Sequence, residues 1–315
     1  MKKLRVLSLI LLLFGRNIAA QQNSATNKSK PDTYLTPAGD KIVFLNTYYT
    51  SFLNAVKAGY TNKDSLFKAI VQGPILDNYF ARSEYTDLVK SHFYYSIQDT
   101  TGLANYISSI QNSEKMIEEI VSATLSDANK ILKNDSITIY ILPSNNYQKF
   151  MIKRMRGVTA VTAGSKQILI TIDTNFGNWK DMLKYTIAHE FDHTYWTKSH
   201  FSNSMRFTML DYLCFEGRAD SYAHLIYPDF KCPWTNVLAD DKKTEAWTKI
   251  KPELQSEDQT LMSGVMFGSA EYPFWCGYTM GYSIVQSALK NHPELTPEQW
   301  ANMEPEKLLE MSDYK

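Results

Sequence analysis

Two hydrophobic periods divide this 315-residue chain. Over residues 40–133 apolar positions recur at helical spacing, as at Phe44, Tyr48, Phe52 and Val56 and again at Met116, Ile120 and Leu125. That spacing predicts several helices, gathered here into an N-terminal lobe over 40–134. At residues 136–142 the period tightens to two, with isoleucines alternating against Thr and Tyr. Residues 158–162 and 167–173 repeat that pattern around 163–166, which predicts a hairpin. The helical period returns from Trp179, with Met182, Tyr185 and Ala188 in step and Leu183 and Ile187 beside them. It predicts a helix to about Lys198, with Asn178 or Asp181 as its cap. A second helix is predicted over 210–224, with Leu213, Ala219, Tyr222 and Ala223 as its packing stripe. Residues 231–315 return to helix, broken near Pro252, Pro273 and Pro293. The expected class is α+β: mostly helical, with a small antiparallel or mixed sheet beside the helix that begins at Trp179.

That helix carries the chemistry. His189-Glu190-Phe191-Asp192-His193 spells H-E-x-x-H. Residues four apart share one helical face, so both imidazoles can aim at one point. Zinc takes imidazole nitrogen and, in catalytic sites, three protein ligands with a fourth position open. Glu190 projects from the edge of the same face, where a carboxylate can take a proton from an attacking water. The bland alternative is a polar helix face with Glu190 as a solvated charge.

One arrangement of the third ligand extends the motif with x-x-G-x-x-H. Here those positions are Trp196 and Ser199, and His200 falls one residue late, so that arrangement is rejected. The other takes a carboxylate from a second helix. Glu216 and Asp220 lie one turn apart on the 210–224 helix. Glu216 would complete a set of two His and one Glu, and Asp220 would accept the other N–H of a ligand histidine. Both could equally be surface charges.

H-E-x-x-H followed by E-x-x-x-D resembles the gluzincin class of zinc metallopeptidases. More narrowly, residues 188–193 with Glu216-Gly217-Arg218-Ala219 are similar to a bacterial family of predicted zinc-dependent proteases whose second motif reads E-G-x-A. Segments 139–143, 277–285 and 305–312 add to the likeness, which spans roughly 135–315. The resemblance implies a zincin-like domain and Zn2+ held by His189, His193 and Glu216. It also implies Glu190 as general base, Asp220 behind a histidine, and a peptide or protein substrate. A phenol could serve the oxyanion of the tetrahedral intermediate. Tyr278 is the preferred candidate among Tyr272, Tyr278 and Tyr282, and His224 could do the same. His92 reads as a surface or core residue. A sheet edge before the motif helix could pair with an extended peptide. The competing functions are a non-catalytic exported protein with a structural zinc site, and a zinc hydrolase of non-peptide amides. Endo- versus exo-cleavage stays open.

Composition narrows the partners. Lys2, Lys3 and Arg5, the apolar run 6–14 and Ile18-Ala19-Ala20 read as a secretory signal over 1–20, followed by a polar linker over 21–39. A periplasmic or secreted protein is therefore expected, with no stable membrane span after cleavage. Lys plus Arg and Asp plus Glu each total 33, and residues 1–20 hold four bases and no acid, so removing them leaves a net charge of −4. No basic footprint for nucleic acid exists. Of three cysteines, Cys232 and Cys276 are the pair expected to bridge, leaving Cys214 as a buried thiol.

Overall fold

The computed structural model describes residues 30–93, 97–202 and 206–315. The expected export signal lies outside the described residues. Five strands form one mixed sheet in the order β1-β2-β3-β5-β4. They are β1 (Asp32–Leu35), β2 (Lys41–Phe44), β3 (Thr138–Pro143), β4 (Val158–Gly164) and β5 (Gln167–Ile172). Strands β2, β3 and β5 run parallel, while β1 and β4 pair antiparallel at the two edges. The hairpin of β4 and β5 matches the period-two reading. Strands β1 and β2 were not expected: β1 falls within the stretch read as polar linker, and β2 within the helical lobe.

The central strands are runs of Ile, Val and Leu, because they are covered on both faces. On one face Ile42, Phe44, Ile139, Ile141, Ile168, Ile170 and Ile172 pack under two long helices. These are α4 (Leu103–Ile131) and α6 (Trp179–His200). Helix α4 presents Leu103, Ile107, Ile110, Ile117, Ile120, Val121 and Leu125 at helical spacing, the pattern of a core-facing stripe. The opposite face carries Val43, Tyr140, Leu142, Ala163 and Leu169 beneath the N-terminal helices. Those include α1 (Asn46–Lys57), α2 (Lys63–Phe67) and α3 (Thr86–His92). The chain is thus mostly helical around a small mixed sheet, an α+β fold. Among the described residues, no helix is long and apolar enough to cross a membrane.

Beyond the sheet, α5 (Lys149–Arg154) precedes β4, and α7 (Met209–Ile226) packs against α6. Helices α8 (Asp240–Ile250), α9 (Gln259–Phe267) and α10 (Cys276–Asn291) complete the wall around them. Helix α7 begins in a capping box, with Thr208 and Asp211 each accepting from the other's backbone N–H. Where α7 meets α10 the backbones touch. A methyl at Gly217 would lie 2.3 Å from the Gly281 carbonyl oxygen, and one at Gly281 would lie 2.1 Å from that of Leu213. No side chain fits at either position.

All three cysteines are free, buried thiols, so the expected bridge is absent. Cys232 sits against Tyr185 and Asp220, while Cys276 opens α10 on the side of Lys249. Burial raises the pKa of each.

Candidate metal centre

Helix α6 buries most of its length, including His189, Glu190 and His193. The one-turn spacing brings the two imidazole Nε2 atoms to 3.1 Å from each other. Glu216 arrives from α7, its Oε2 lying 3.2 Å from His189 Nε2 and 3.6 Å from His193 Nε2. Three lone-pair atoms at such spacing repel one another unless a cation or a proton lies between them. Ligands about 2.05 Å from a tetrahedral centre stand about 3.3 Å apart. The observed edges straddle that value, and the donor set of two imidazoles and one carboxylate suits zinc. Among the described residues, this trio is the potential metal site.

Metal-free, burial would push the His189 imidazole down, but the neighbouring carboxylates of Asp220 and Glu216 overcome it and hold its pKa well above the usual range. Burial likewise opposes ionisation of Glu216. Its hydrogen bonds to His189 and His193 prevail and bring it down to about 2. Both directions describe an anion waiting for positive charge.

Behind His189 stands Asp220, fully buried. Its Oδ1 is 3.0 Å from His189 Nδ1. The Trp234 indole N–H reaches both carboxylate oxygens, at 2.9 and 3.0 Å, and the Tyr185 hydroxyl donates from 3.2 Å. With a metal in place, Asp220 would keep the proton on His189 Nδ1 by accepting its hydrogen bond and leave the Nε2 lone pair for the ion. Trp234 and Tyr185 are site residues that sequence reasoning missed. The indole comes from the loop after α7, and nothing in the spacing of the motifs points to it.

His193 is held differently. Its ring stacks on Phe215 at 3.9 Å between centroids and 10° between planes, and Trp196 packs edge-on against Phe215 at 5.1 Å. Among the described residues, its Nδ1 has no hydrogen-bond partner. His200 bonds the Trp196 carbonyl and stacks on that ring, so it stays on its own helix as expected.

Glu190 points to the sheet edge. The Thr162 hydroxyl on β4 lies 2.7 Å from its Oε2, with the Glu190 carbonyl a second acceptor at 3.1 Å. A cavity of about 850 Å³ opens over this point, lined by His189, Glu190, His193, Glu216, Thr162 and Tyr278 among others. Tyr278 is brought there by the close crossing of α7 and α10. Burial, then the Glu216 charge, holds its phenol well above its ordinary pKa, so it keeps its proton. Tyr212, one turn before Glu216, shares the cavity and went unnoticed in the sequence. Tyr272, Tyr282 and His224 do not line it. His92 also lines it, apart from the His189, His193 and Glu216 trio.

The family described as Predicted Zn-dependent protease (DUF2268) matches residues 117–310. The chain belongs to this family. No curated protein and no solved structure matches it. The matched span takes in the strands β3 to β5 and all of the residues converging on the candidate zinc site. It leaves out β1, β2 and helices α1 to α3.

Proposed function

We propose that this family member is a peptidase that hydrolyses peptide bonds with a zinc-activated water, and that it works outside the cytoplasm, as the sequence of residues 1–20 suggests. The observation that carries the reading is the convergence of His189, His193 and Glu216 beneath a cavity into which Glu190 also opens. His189, His193 and Glu216 would hold the metal, and Asp220 would orient His189. Zinc, when bound in such a set, supplies Lewis acidity that makes water acidic and a carbonyl electrophilic.

The remaining steps belong to the chain. Glu190 takes the proton of the attacking water and passes it to the leaving amine. Thr162 holds the carboxylate toward the cavity by its 2.7 Å hydrogen bond. Tyr278 offers a phenol proton to the oxyanion of the tetrahedral intermediate. Substrate lies along β4. Asp173 N–H bonds to the Gly157 carbonyl, so the alternation of an antiparallel ladder turns the N–H and C=O of Ala160 and Thr162 away from β5, toward the cavity. An extended peptide can pair with them.

A purely structural zinc site is closed by four protein ligands and has no use for a base. Here three ligands converge in an open cavity. The test is Glu190→Gln. The variant is expected to bind zinc with unchanged stoichiometry and to lose about 10²- to 10⁴-fold in hydrolysis of unfolded protein. Cleavage at the parent's rate would remove Glu190 from the mechanism.

A further inference from the structure

The cavity does not stop at the zinc face of the sheet; it wraps around the β4 edge. Ala160 and Thr162 face the motif helix, and the wall opposite them includes Met155, Met262 and Trp275, all packed on the zinc-face core. Thr159 and Val161 face the other way. There the same cavity is bounded by Leu88 and His92 of α3. The His92 ring bonds Thr171, which pairs with Thr159 on that second face. An extended chain added to β4 would send successive side chains to opposite faces. One set would meet Met155 and Met262, the other Leu88 and His92.

The lining is also short of charge. Apart from the trio and Glu190, the charged residues among the described lining are Arg206 and Glu257, and they lie 3.4 Å from each other at an exposed rim. Burial pulls the His92 imidazole down to about 4, so it is neutral at physiological pH. An enzyme that trims chain ends must neutralise a free α-amino or α-carboxylate group in its site, because an unpaired charge is costly to desolvate. Among the described lining residues, no charge beyond the trio, Glu190 as the base and that exposed pair is there to do so.

We infer that the substrate is the interior of an extended, apolar-rich polypeptide, laid along β4 with alternate side chains on the two faces of the sheet, and that the enzyme is an endopeptidase. Leu88 and His92 are then specificity residues for positions of one parity, and Met155 and Met262 for the other. This rests on the peptidase reading above.

The zinc-loaded protein is offered two libraries of the same peptides, one with free termini and one blocked at both ends, and products are read by mass spectrometry. Blocked and free peptides should be cut internally at rates within about threefold, next to bulky apolar residues. Leu88 is half exposed, so Leu88→Asp should fold and keep its zinc. It should shift preference toward Lys about tenfold at alternate positions only. Binding of blocked peptide to the Glu190→Gln variant, followed by fluorescence anisotropy, should show the same single-parity shift when Leu88→Asp is added. A requirement for a free terminus would overturn the proposal, as would a Leu88→Asp shift at neighbouring positions of both parities or at none. If no peptide in either library is cut by protein with bound zinc, the peptidase reading itself falls instead.

Discussion

His189 and His193 lie one turn apart on the same helix, yet the protein holds them by different means. The His189 side is polar: Asp220 accepts a hydrogen bond from its Nδ1–H and is itself anchored by Trp234 and Tyr185. The His193 side is aromatic: Phe215 stacks on the ring and Trp196 backs Phe215. Each side also buries an acid, and they differ in the same way. Asp220 is surrounded by donors, whereas Asp192 has a buried Oδ1 with no partner among the described residues. Hydrogen bonds fix a ring's direction and tautomer; stacking fixes its plane and leaves it free to settle along that plane. The contrast teaches that one candidate ligand is preset while the other could adjust to a metal.

Removing Asp220 should break the comparison most severely. Asp220→Ala strands the Trp234 N–H and the His189 N–H in a dry interior, while the Tyr185 hydroxyl keeps its bond to the residue-220 carbonyl. We expect a loss of roughly 3–5 kcal/mol in stability by denaturant titration. Zinc affinity should fall about 10- to 100-fold by chelator competition. An affinity within twofold of the parent would mean the polar side does not preset His189.

Asp192 sharpens the aromatic side. Burial drives its carboxyl from the ordinary 3.8 up to about 6, against the pull of His193 and Arg218. Between those values this carboxyl keeps its proton in the folded chain and loses it in the unfolded one, so its contribution to stability falls as pH rises from about 4 to 6 and then levels. That slope amounts to at most about 3 kcal/mol. Asp192→Asn should match the parent near pH 4 and melt higher at pH 7. A melting temperature equal to the parent's at both pH values would show the carboxylate to be satisfied.

Phe215→Leu should have the smallest effect: about 1 kcal/mol of stability, and zinc affinity within about threefold. If it costs as much affinity as Asp220→Ala, stacking and hydrogen bonding are equivalent devices here and the contrast is void.

The parts of the site legible in the sequence are those set by helical spacing. His189 with His193, and Glu216 with Asp220, are one-turn pairs, and a period of 3.6 places each pair without reference to anything distant. The hairpin was legible because Ile168, Ile170 and Ile172 alternate beside a plausible turn. Strand β2 is only four residues, Lys41–Phe44, too short for alternation to separate it from the helical pattern that follows. Tyr185 lies one turn before His189 on the same helix, where it reads as one more position of the apolar stripe. Trp234, Thr162 and His92 reach the site through packing between elements far apart in the chain, and no local period encodes that. The cysteines failed for the same reason. Export makes a bridge possible, but which elements face one another decides whether two thiols meet.

Gly217 and Gly281 set a limit on how this cleft can be redesigned. Backbone rests on backbone where α7 crosses α10, so the spacing between Glu216 and Tyr278 is gauged by main chain and has no adjusting screw. Resizing residues at the crossing can only pry the helices apart. An engineer who wants a roomier or narrower pocket must work on the opposite walls, at Met262 of α9 or Leu88 of α3, where side-chain volume is still a free variable.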